Sequence, residues 1–141
     1  MSIRTIAIAY VSTAVIFLAI DAVWLGTMAN RLYKPAMGDM MLENFAVTPA
    51  LIFYAIYVVG MIVFAVLPAL ESGRWTTALW SGALLGLVAY ATYDLTNHAT
   101  LKNWPLVVTL ADLCWGTFAT AVASAAASKV TMWATKALPV G

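Results

Sequence analysis

Residues 45–70 read FAVTPALIFYAIYVVGMIVFAVLPAL, a run in which no side chain carries a charge. Helical at about 1.5 Å per residue, it is long enough to cross the ~30 Å hydrocarbon core of a bilayer with some tilt. Pro49 falls in the first turn and Pro68 near the end, where missing backbone hydrogen bonds matter least. This stretch, from Phe45 to Leu70, is therefore the second of a set of spanning helices.

Similar runs lie on either side. Upstream, a first helix extends from about Thr5 to Met28, with no cleavage site to make it a removable leader. Between the two, residues 29–44 contain Arg31, Lys34, Pro35, Gly38, Asp39 and Glu43, a polar connection long enough for a short interfacial helix. Downstream, the turn Glu71-Ser72-Gly73-Arg74 makes the second and third helices antiparallel neighbours. The third helix covers about Trp75 to Ala99, and Pro105 opens a fourth that continues to about Ser128. Trp75, Trp104, Trp133 and Tyr33 lie near helix ends, where amphipathic rings mark the interface and imply no ligand.

The expected fold is all-α: an integral membrane four-helix bundle with antiparallel neighbours, residues 1–141 forming one membrane domain. Composition agrees, since 64% of residues are hydrophobic and 9% charged, against about 25% charged in soluble domains. A net charge of +1 without a basic run excludes nucleic acid as a partner. The one cysteine, Cys114, permits no intrachain disulfide and is expected to serve packing. Arg4, Arg74, Lys129 and Lys136 on one side, against Arg31, Lys34 and Lys102 on the other, favour cytoplasmic termini in a bacterial inner membrane.

Asp21, Asp94 and Asp112 sit inside the expected spans. Each costs about 2.5–3.5 kcal/mol at the centre of an inserted helix, so it must face the bundle interior, a partner or water. The first and third helices run in one direction and place Asp21 and Asp94 toward their ends. The fourth returns from that side with Asp112 about 10 Å in. All three carboxylates thus share one leaflet. His98, the only histidine, lies one turn beyond Asp94 and could form an acid/base dyad with it. Tyr93 and Asn97 are close in sequence, and Lys102 and Asn103 follow in the connection. Asp21 and Asp112 each precede a tryptophan by three residues, Trp24 and Trp115, a spacing suited to a pocket for an amphipathic or cationic group.

The strings Tyr93-Asp94-Leu95-Thr96-Asn97, Ala99-Thr100-Leu101-Lys102-Asn103-Trp104-Pro105 and Asp112 with Trp115-Gly116 resemble those of domain-of-unknown-function family 2177, small bacterial membrane proteins. The resemblance covers nearly the whole chain. It implies a four-helix membrane fold and names no reaction or cofactor.

These residues support three functions. The first is a one-sided cavity that binds or moves a lipid-like or small amphipathic ligand, with proton coupling, through Asp21, Trp24, Tyr93, Asp94, Asn97, Lys102, Asn103, Asp112 and Trp115. The second is an enzyme acting on a lipid or isoprenoid with Asp94, His98 and Asp112 as catalytic groups. The third is an accessory subunit of a larger membrane complex. Against all three stands purely structural pairing of the aspartates with Thr96, Asn97, Lys102 or the indoles. No compact motif supports a metal site. Gly82 and Gly86, four apart, offer a seam for a homodimer, and membrane lipid is the expected partner.

Overall fold

The computed structural model describes residues 1–137. It is an all-α membrane bundle of four helical rods. The first rod is α1 (Ile3–Met28), a π turn (Ala29–Tyr33), the short α2 (Lys34–Met37) and a 3-10 turn (Gly38–Met40). The second is α3 (Val47–Met61), a π turn (Ile62–Val66) and α4 (Leu67–Ser72). The third is α5 (Trp75–Thr100) and the fourth α6 (Leu106–Ala137). Rods one, two and four are long and apolar enough to span a membrane.

The two π turns share one cause. In each, the residue that closes the turn bonds back five positions, Lys34 N–H to Ala29 O and Leu67 N–H to Ile62 O. The next residue in both cases is a proline, Pro35 and Pro68. Proline has no N–H to give, and its ring crowds the carbonyl four residues back. One extra residue in the preceding turn displaces that carbonyl, which is how a helix accommodates such a break without ending. Residues 29–40 consequently continue the first rod, where the sequence suggested a polar connection with a separate interfacial helix. Pro68 follows a widened turn in the second rod and is not simply tolerated at a fraying end.

The third rod is as long as α1 but more polar. Its threonines satisfy themselves: Thr92 donates to Val88 O at 2.7 Å, Thr100 to Thr96 O at 2.8 Å, and Thr96 to Thr92 O. Hydroxyls closed on their own helix can face an apolar medium at little cost. The turn from α4 to α5 uses Gly73 in the left-handed region, φ 67°, which brings Arg74 N–H back to Ala69 O at 3.1 Å.

The fourth rod is packed along α5 and also meets α1. Among its buried positions, Thr109, Asp112, Gly116, Thr120, Ala123, Ala127 and Thr131 recur three or four apart and so form one stripe. Their small size brings the helices close. A Cβ added at Gly82 would stand 2.8 Å from Thr120 O, and one at Gly86 would collide with Gly116 O. Gly82 and Gly86 are therefore spent inside the chain, and the expected seam for a second copy through them does not exist. The fourth helix also runs past Ser128 to Ala137. Thr131 and Thr135 bond carbonyls four residues back at 2.8 Å, and the Lys129 ammonium lies 4.0 Å from the Trp75 ring centroid.

Candidate functional site

Four rods converge at one end of the bundle around three buried carboxyl groups. Asp21 and Trp24 come from the last turns of α1, Tyr33 from the first π turn, Tyr54 from α3, Tyr93 and Asp94 from α5, and Asp112 and Trp115 from α6. Asp21 is 5% exposed, Asp112 6% and Asp94 0%. A carboxyl group so placed in a membrane protein needs donors.

Asp21 has two. Trp115 Nε1–H donates to its Oδ1 at 3.1 Å and the Tyr54 hydroxyl to its Oδ2. Asp112 accepts from the Tyr33 hydroxyl, which itself accepts from Trp24 Nε1–H at 2.9 Å. The pattern is reciprocal. The indole of the fourth helix serves the carboxylate of the first, and the indole of the first serves that of the fourth through a tyrosine. Between them Trp24 and Trp115 stack with centroids 4.5 Å apart and planes 6° from parallel. The Asp-x-x-Trp spacing in both helices thus has a physical outcome: two antiparallel helices exchange hydrogen bonds across one stacked pair.

Asp94 is different. It faces Asp112 within hydrogen-bonding reach, yet neither of its oxygens meets a donor. Two facing carboxyl groups supply none unless a proton lies between them. Burying an acceptor without a partner costs about 1–3 kcal/mol, more when it is charged.

Beside this cluster lies a cavity of about 570 Å³. Asp21 and Asp112 form its polar wall; Trp24, Trp115, Tyr33, Tyr54, Tyr90, Tyr93 and Phe53 supply aromatic surface, and Met37, Met41, Leu42 and Phe45 from the end of the first rod and the link beyond it also line it. Such a volume is ordinary for a small-molecule site.

Other expected site residues stand apart. His98 is exposed on the outer part of α5 and makes no hydrogen bond to Asp94, so the dyad is not formed. Asn97 does not line the cavity. Lys102 and Asn103 line a separate hollow with Pro35, Gly38 and Asp39. Among the described residues, no group of three His, Cys, Asp or Glu side chains is arranged to hold a metal ion. Trp104, just before the start of α6, is buried within the chain; its Nε1–H donates to Thr109 Oγ1 at 2.9 Å and its ring meets Tyr93 edge-on at 5.8 Å. Cys114, expected in the packing, is on the outside.

Tyr33 and Tyr54, which bond the carboxylates and line the cavity, are the residues of this cluster that sequence reasoning missed. Tyr33 reads as an interfacial anchor only while the first helix is assumed to stop at Met28. Tyr54 carried a usable signal, because a phenol within an uncharged span must find a partner, and an aspartate at matching depth is one.

Nothing among curated proteins or solved structures matches the chain. The model of a family described as predicted membrane protein, DUF2177, matches residues 6–129. That span takes in all three aspartates, both stacked indoles and every tyrosine that bonds them. By this match the chain belongs to the DUF2177 family of predicted membrane proteins.

Proposed function

We propose that this protein binds, or moves within the bilayer, a small amphipathic molecule held in the aromatic cavity with its polar end against Asp21 and Asp112. The observation that carries this reading is the cavity itself: about 570 Å³ of mostly aromatic and aliphatic lining with two carboxylates on one wall. Ligand sites have this composition, an apolar body with a few polar groups that fix orientation. Pairing among the aspartates, tyrosines and indoles accounts for how the helices are held at this end. It accounts neither for the space beside them nor for the unpartnered Asp94. In this reading Asp94 and Asp112 exchange protons as the ligand's polar end enters and leaves. We further propose a bacterial inner membrane with cytoplasmic termini, on the excess of Arg4, Arg74, Lys129 and Lys136 at one end over Arg31, Lys34 and Lys102 at the other.

The test is native mass spectrometry of protein extracted from membranes in a mild detergent, comparing wild type with Ala89→Trp. Ala89 lines the cavity, and an indole there fills it. A defined mass carried by wild type and lost from Ala89→Trp, with helix content unchanged, is the expected result. Wild type that carries no molecule beyond bulk lipid overturns the reading.

A further inference from the structure

The charges around the cavity do not balance. Asp21 and Asp112 line it and Asp94 stands behind Asp112, but no lysine, arginine or histidine is among its lining residues. Tyrosine and tryptophan donors serve Asp21 and Asp112. They carry no positive charge, and they leave both oxygens of Asp94 without a donor. A carboxylate cluster away from water requires a positive partner or protons. No cation of the chain lines the cavity, so what balances the cluster, protons or a cation, is taken up from outside.

The rest of the wall indicates what kind. The face of an aromatic ring is the negative end of its quadrupole and attracts a cation, most strongly when water is excluded. Trp24, Trp115, Tyr90 and Tyr93 are presented to the same space as the two carboxylates. Acceptors that want N–H or O–H donors and rings that favour positive charge are both satisfied by one group, a protonated amine. A quaternary ammonium satisfies the rings but has no hydrogen to donate; an alcohol donates but carries no charge; a carboxylate is repelled by all three aspartates.

We infer that the ligand of this cavity is an amphiphile with a protonated, N–H-bearing amine head, held by Asp112 and Asp21 at the aromatic wall. This rests on the binding reading above and narrows it to one chemical class.

The experiment uses the full chain in nanodiscs of neutral lipid and a set of probes with one tail: dodecylamine, dodecanol, dodecyltrimethylammonium and dodecanoate. Isothermal titration calorimetry of each probe into the discs reports binding, with Ala89→Trp discs as the control for partition into lipid. The amine is expected to bind about tenfold more tightly than the alcohol or the quaternary salt, the ratio given by one hydrogen bond to a charged group. Asp112→Asn and Asp21→Asn should each lower the ratio of amine to alcohol affinity. The wild-type series decides the matter even where a variant folds poorly. Equal binding of amine and alcohol, or a preference for the quaternary salt, overturns the amine assignment and leaves the cavity reading standing. Failure of every probe to bind overturns both.

Discussion

Asp21 takes hydrogen bonds from Tyr54 on α3 and Trp115 on α6, so a single carboxylate ties three rods together. Asp21→Leu should leave a phenol and an indole N–H without an acceptor, each at about 1–3 kcal/mol. Asp21→Asn keeps one carbonyl oxygen and should lose about half as much. Unfolding by sodium dodecyl sulfate from mixed micelles would rank the two, and equal losses would mean that the donors find other partners. Tyr33 is a second instance, because its hydroxyl links the Trp24 indole to Asp112. Tyr33→Phe interrupts that link at both ends without changing the ring. It should cost about 1–2 kcal/mol in the same titration, and a loss below a few tenths would show that the relay contributes nothing.

At the scale of elements, the π turn before Pro35 determines where Tyr33 points. Pro35→Ala restores an N–H and removes the crowding that the extra residue relieves, so the turn can revert to α register. Each residue in an α-helix advances about 100°, and the Tyr33 hydroxyl would then swing away from Asp112. The expected signature is non-additivity: once Pro35→Ala is present, Tyr33→Phe should cost almost nothing further in unfolding free energy. Additive losses would separate the turn from the relay. The α5–α6 seam gives a cleaner contrast. Ala at Gly86 meets the Gly116 backbone, which cannot give way, whereas Ala at Gly60 has nothing within 4 Å. Gly86→Ala should destabilise by about 1–3 kcal/mol, and Gly60→Ala should gain up to about 1 kcal/mol from helix propensity. Thermal unfolding followed by circular dichroism would check both.

For the whole molecule, apolar side chains such as Ile56, Phe64, Leu84, Val88 and Phe118 point outward, as lipid requires and water would not allow. Cys114 shares that exposure. A nitroxide attached to it should be relaxed more by dissolved oxygen than by a water-soluble nickel chelate, and the reverse order would put this face in water. The same outward hydrophobicity explains what the sequence could reveal. The four rods and the gathering of Asp21, Asp94 and Asp112 toward one end of the bundle are readable, because an apolar run and an isolated acid within one need no helix phase to be located along it. Phase was not readable, since a helix bordered by lipid on one side and core on the other is apolar all round. Gly82 and Gly86 are for that reason read as outside and Cys114 as inside; His98 does lie one turn beyond Asp94, but near the end of α5, where it is exposed and makes no hydrogen bond to that carboxyl group. The π turns escaped because a proline announces a disturbance without saying whether the helix ends, kinks or widens. The paired tryptophans have one more consequence. Two parallel indoles in contact share their electronic excitation, so the near-parallel stack of Trp24 on Trp115 should give a split circular-dichroism band that persists only while the first and fourth rods are closed together. The protein thus carries its own optical gauge of that closure, with no label needed.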